Sequence, residues 1–271
     1  MRRRILAIGA AAALAVSGLA LPAQAAEDAQ LSVLHGVPDL TVDVWVNGER
    51  TLDDFEPGDL AGPLDLPAGT YKVAITAADA DDDSDPAIGP VDIELEGGKN
   101  YTAVAHLKEN GDPTATLFTN DTSRTDAGQG RLTVRHTAAA PAVDILAGGE
   151  PVVEGLSNPE EASLDLDAGT IEAAVAAAGT TDPVIGPADV TIEDGTLTIA
   201  YAWGSLEDDN LQLATQTISG LHSGPGGVNA GEAGLAATSA APALLAALVV
   251  GLAGLLVARR FARPVSVRPG R

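Results

Sequence analysis

The sequence predicts an all-β protein. Two tandem antiparallel β-sandwich domains are preceded by a secretory signal and followed by one transmembrane helix. Three observations predict it. The chain repeats itself at a distance of about 100 residues, its apolar residues alternate with period two, and long uncharged apolar runs lie at its two ends.

The repeat comes first, because it sets the domain count. LSVLHGVPDLTVDVWVNGE from Leu31 matches LTVRHTAAAPAVDILAGGE from Leu132. LDLPAGT at Leu64 matches LDLDAGT at Leu164, and DPAIGPVDIELEGG at Asp85 matches DPVIGPADVTIEDG at Asp182. The blocks keep their order while the offset drifts only from 101 to 97, so a single-domain-sized unit has been duplicated. The predicted organisation is a signal peptide at 1–25, repeat 1 at 26–126 and repeat 2 at 127–218. A Gly/Ser/Ala-rich spacer at 219–240, a transmembrane helix at 241–258 and an arginine-rich tail at 259–271 follow.

Within each repeat, Tyr71, Val73 and Ile75 alternate with Lys72, Ala74 and Thr76, and Leu197, Ile199 and Tyr201 alternate with Thr198 and Ala200. Period-two alternation marks strands with one buried face. Asn47-Gly48, Gly97-Gly98, Asn110-Gly111 and Asp194-Gly195 supply the positive φ angles that tight turns demand. Six or seven short strands per repeat, with no helical period between them, make an antiparallel sandwich. IEAAVAAAGTT from Ile171 has a helix-like alanine content, but it aligns with the strand Tyr71–Ala77 and is read as β. Its small side chains predict a thinner core and a less stable second domain.

The N-terminus reads MRRR, an apolar run from Ile5 to Leu19, and then Ala23-Gln24-Ala25, which is the order of a secretory signal cleaved after Ala25. Toward the other end, Ala243 to Ala258 carries no charge, and Arg259, Arg260, Arg263, Arg268 and Arg271 follow. A bilayer-spanning length with arginines on one side predicts a single-pass helix with a cytoplasmic tail and an extracellular ectodomain. With the three arginines of the signal and the five of the tail set aside, seven basic residues face all 38 acids, a net charge of −31. A field of that sign excludes nucleic acid as a partner and keeps the domain soluble. The absence of cysteine excludes disulfides, thiol catalysis and a lipoprotein anchor.

Each repeat opens with a strand ending in His35 or His136, then a proline-containing turn, then Val42-Asp43-Val44 or Val143-Asp144-Ile145, then a glycine turn. HTAAAPAVDILAGG, HGVPDLTVDVWVNG and the P-A-G-T-Y at Pro67–Tyr71 resemble the bacterial extracellular family called domain of unknown function 4397. The resemblance covers roughly Leu31 to Leu213 and implies exported, tandem immunoglobulin- or transthyretin-like sandwiches with no assigned chemistry.

Three groups of residues are candidates for chemistry. Asp81, Asp83 and Asp85 in the run DADDDSD present oxygen ligands at alternate positions, which suits Ca²⁺, although Pro86 stands where a calcium loop needs glycine and the second repeat has lost the acids. His35 and His136, with Asp43 and Asp144, recur in both repeats, and that recurrence favours an architectural role. Trp45 and Trp203 lie in strands and read as core or half-buried residues. No nucleophile elbow, zinc-protease motif or phosphate-binding loop is present. The expectation is a non-enzymatic, membrane-tethered surface module needing no cofactor, of structural, adhesive or ligand-presenting role. The partners are the membrane and cell-wall or other surface components. The alternatives are a calcium-dependent binding module and a sortase-processed wall protein.

Overall fold

In the computed structural model, residues 27–222 are described. The expected signal peptide, the greater part of the expected spacer, the expected transmembrane segment and the arginine tail lie outside them. No described helix is long and apolar enough to cross a membrane.

Sixteen strands form two sandwiches of eight. The first contains β1 (Ala29–Gly36), β2 (Val42–Val46), β3 (Glu49–Phe55), β4 (Leu60–Leu66), β5 (Gly69–Ala77), β6 (Ile88–Leu95), β7 (Asn100–Leu107) and β8 (Pro113–Asn120). The second contains β9 (Gln129–His136), β10 (Val143–Ala147), β11 (Glu150–Leu156), β12 (Glu161–Asp167), β13 (Gly169–Ala177), β14 (Pro183–Ile192), β15 (Thr196–Trp203) and β16 (Gln212–Ser219). The alanine-rich segment is strand β13, as its alignment required. The count exceeds the expected six or seven because edge strands hide in sequence. β4 is interrupted by Gly62-Pro63, and β3 buries only its last residue fully.

The sheets run β4-β1-β7-β8 and β3-β2-β5-β6 in the first sandwich, and β12-β9-β15-β16 and β11-β10-β13-β14 in the second. All pairings are antiparallel except β1 with β7 and β9 with β15, which correct the purely antiparallel expectation. The reason is parity. Strands alternate in direction along the chain, so neighbours an even number of strands apart run parallel. In the immunoglobulin order the first strand neighbours the second; here β1 lies between β4 and β7.

Each sandwich has its own core, built around Val42, Phe55 and Ile75 in the first and Leu132, Val143 and Val175 in the second. A further cluster joins the two, with Leu34, Val104 and Phe118 packing against Leu197, Ile199 and Tyr201. The sheets β4-β1-β7-β8 and β12-β9-β15-β16 therefore lie face to face, and the described residues stack as four sheets. This corrects the reading of β15. Its large side chains turn toward the first sandwich, while Thr198, Ala200 and Ala202 turn toward its own core, and all eight of its residues are buried. The packing is reciprocal. Thr102 of β7 hydrogen-bonds Gln216 of β16 at 3.0 Å. Ile199, the equivalent of Thr102, shares the apolar cluster with Phe118, the equivalent of Gln216. Equivalent faces contacting each other in both directions are the mark of a two-fold-like interface, here inside one chain.

Close approach at this seam depends on glycine. A Cβ on Gly36 would lie 3.1 Å from the Ala105 carbonyl and 3.2 Å from Trp203 Cβ. The chain also stays attached beyond the expected start of the spacer. Ser219 still belongs to β16, Leu221 is buried, and the Leu221 carbonyl accepts the Thr125 N–H at 2.9 Å.

Candidate functional site

The repeated His and Asp residues occupy equivalent places and do the same work twice. His35 ends β1, and its Nε2–H donates to the Leu40 carbonyl at 2.6 Å while Nδ1 accepts the Val37 N–H at 3.5 Å. His136 ends β9 and repeats the pattern with the Pro141 carbonyl at 3.0 Å and the Ala138 N–H at 3.4 Å. Each imidazole staples the turn that follows its strand, and burial lowers both pKa values, keeping the rings neutral. Asp43 accepts the Asp54 N–H at 3.0 Å and Arg50 Nη1 at 2.8 Å. Asp144 accepts the Gly155 N–H at 2.8 Å and the Gly179 N–H at 2.7 Å. Asp54 and Gly155 are the equivalent positive-φ positions, at 51° and 70°. The buried carboxylate thus holds a left-handed kink in β3 and in β11, and satisfies its own lone pairs in doing so. These four residues are architectural.

The tryptophans differ. Trp45 is 7% exposed and donates from Nε1 to Thr76 Oγ1 at 2.9 Å, with the Arg50 guanidinium 5.3 Å from its ring centroid. Trp203 is 3% exposed and packs against Gly36 and Gly58 of the first sandwich, and its Nε1–H has no partner.

The acidic run folds as an exposed turn. Asp82 Oδ1 accepts the Ser84 N–H at 3.0 Å, and the Ser84 hydroxyl first, then this N–H, lowers the Asp82 pKa. Asp92 on β6 is paired with Lys72 at 2.9 Å. Among the described residues, no group of three or more His, Asp or Glu is gathered so as to hold a metal ion, and Asp81, Asp83 and Asp85 belong to no such group.

What sequence reasoning missed is a buried polar network between the sandwiches. Arg135 on β9 is 1% exposed. It donates from Nε to Glu161 at 2.7 Å, from Nη1 to the Tyr201 hydroxyl at 2.9 Å and from Nη2 to Asn120 Oδ1 at 2.8 Å. Its plane lies over Phe118, 4.3 Å from the ring centroid. Tyr201 donates onward to Gln216 Oε1 at 2.6 Å, and Gln216 Nε2 donates to Ser32 Oγ at 3.1 Å. Asn120 Nδ2 closes the circuit on Thr102 Oγ1 at 3.0 Å. Every donor of the guanidinium fork that is named here meets an acceptor, so the charge is buried with compensation. Burial raises the Tyr201 pKa, against the lowering effect of Arg135. Arg131 adds a two-pronged contact to Asp165 at 2.7 and 3.0 Å and reaches Asp121 of the linker at 2.8 Å. The sequence signal was available: RLTVRH places two arginines on one face of a strand whose other face is apolar.

Two solvent clefts of about 460 and 440 Å³ follow this seam and share Gln30, Asn100, Ile218 and Ser219. Glu27, Asp28, Asp65 and Lys99 line the first, and Ser32, Thr215, Gln216 and Thr217 the second.

Residues 29–146 match the family model described as Domain of unknown function (DUF4397). The match starts at β1, takes in the whole first sandwich and ends in β10. No curated protein matches the chain.

Proposed function

We propose that this protein is a non-enzymatic, membrane-tethered cell-surface module that holds two transthyretin-like sandwiches as one stiff body outside the membrane. The signal peptide exports it, the helix at 241–258 anchors it, and its role is structural, adhesive or ligand-presenting. The observation that carries this reading is the uncharged run Ala243–Ala258 followed by five arginines, set opposite a cleavable leader. The fold agrees with it. The paired His and Asp residues are committed to turns, and the buried polar atoms at the seam are committed to joining the sandwiches, which suits a spacer that presents a surface. Strand order favours the transthyretin-like alternative over the immunoglobulin one, and the two eight-strand halves support tandem copies of one domain.

Fractionation of native cells with intact-mass measurement tests the proposal. A membrane-bound species running from Ala26 to Arg271 supports it. A soluble cytoplasmic species retaining Met1 defeats it. A wall-linked species cut within Ser219–Ala241 would replace the permanent anchor with a processing signal.

A further inference from the structure

Among the described residues the four sheets leave eight edge strands. Free edges invite pairing with another chain, and proteins guard them with charge, proline or bulges. Six of the eight are guarded. β3 carries four charged residues and β12 three, while β4, β6, β11 and β14 contain Pro63, Pro90, Pro151 and Pro187. β8 (PTATLFTN) and β16 (QLATQTIS) are not. Neither carries a charge, proline occurs only at the first position of β8, and each pairs with its single neighbour over eight residues without a bulge. In a chain of which 20% of residues are charged, two bare edges of this length stand apart.

A second feature separates β8 from β16. A cavity of about 50 Å³ in the first sandwich reaches the side where β6 and β8 form the two sheet edges. Val91 and Ile93 of β6 and Ala115 and Leu117 of β8 line it, and Val91 is 37% exposed. The equivalent of Ala115 in β16 is the larger Leu213.

We propose that β8 is a docking edge for an extended segment of a partner protein, which adds a strand to the sheet and places small aliphatic side chains into this cavity. Main-chain hydrogen bonds to the free edge supply affinity, and a cavity beside it selects alternate side chains, because successive residues of a strand point to opposite faces. The volume suits valine or alanine. The occupant is a different protein with basic residues beside its aliphatic ones. The chain carries a net charge of −23, which favours basic residues flanking such a segment and sets a second copy of the chain against like charge. This inference stands apart from the membrane tether and survives its failure.

The test uses the purified full-length protein and a synthetic probe, Lys-Val-Thr-Val-Thr-Val-Lys, with hydrogen exchange as the readout. Saturable slowing of exchange by about tenfold across Pro113–Asn120, absent with a probe whose valines are replaced by threonine, is the expected result. Val91→Lys, at a site already partly exposed, abolishes it, and Ala115→Leu, which copies β16, does the same by filling the cavity. No protection, protection confined to β16, or protection of β8 that rises with protein concentration without probe would each overturn the proposal, the last by showing a second copy on the edge.

Discussion

The inner sheets of the two sandwiches share one strand plan and meet each other face to face, yet they bring opposite chemistry to the seam. The first presents Ser32, Thr102 and Asn120, all buried and neutral. The second presents Arg135, Ile199 and Tyr201 at corresponding strands. Leu34 stands where the second repeat has Arg135. A duplicated domain meeting its own copy would place like against like. Divergence at these positions has put the buried charge of Arg135 on one side and neutral partners such as Asn120 on the other, so the two repeats are no longer interchangeable.

Several measurements break or sharpen that contrast. The largest effect is expected from Arg135→Ala, which strands Glu161, Tyr201 and Asn120 together. Removal of one member of a buried charged network costs roughly 3–5 kcal/mol, and urea unfolding reads it directly. Next come Leu34→Ala and Ile199→Ala, one on each face, each expected to cost about 2–5 kcal/mol. Both should lower a single calorimetric transition. Two separate transitions, with only one moved by each variant, would show that the sandwiches fold independently.

Acid follows. Burial lowers the pKa values of His35, His106 and His136. At a pH above the unfolded value of about 6.5, both states are neutral and stability is complete. As pH falls through that value, the unfolded chain takes up protons that the folded chain refuses, so stability declines by up to about 1.4 kcal/mol per histidine per pH unit. Unfolding free energies measured from pH 7.5 down to pH 5 should decline along that curve, and His106→Gln should flatten it. A flat profile in the unsubstituted protein would mean that these rings protonate without cost.

The smallest effect separates the tryptophans. Trp45→Phe removes the donor to Thr76, whereas Trp203→Phe removes an N–H with no acceptor, so the first should cost about 1 kcal/mol more. Equal losses would place an unseen acceptor beside Trp203.

Much of this fold was legible. The repeat fixed two domains of equal plan, turn residues placed the hairpins, and recurrence of His35 with His136 and Asp43 with Asp144 pointed to architecture, which their backbone partners explain. The seam was not legible, for a physical reason. Alternation reports that one face of a strand is apolar, and it is silent about which neighbour covers that face. Leu197, Ile199 and Tyr201 therefore read as the core of their own sandwich. Edge strands were lost for a related reason, since a strand solvated on its outer side, such as β3, needs no apolar pattern. The spacer was set too early because Ser219-Gly220 is loop-like in composition, while Leu221 is buried in the apolar cluster between the sandwiches, whose members are distant in sequence.

The two ends of the described chain share a location. Glu27, Asp28 and Leu221 line the same cleft, and Thr125 bridges to His222. β1 leaves that end and β16 returns to it, each eight residues long, so the turns following His35, Leu107, His136 and Trp203 all gather at the opposite pole. At about 3.3 Å per residue the poles are roughly 26 Å apart. The chain ends and that set of turns thus stand at opposite poles of the described body, and whatever is joined beyond His222 departs from the pole that the turns do not occupy.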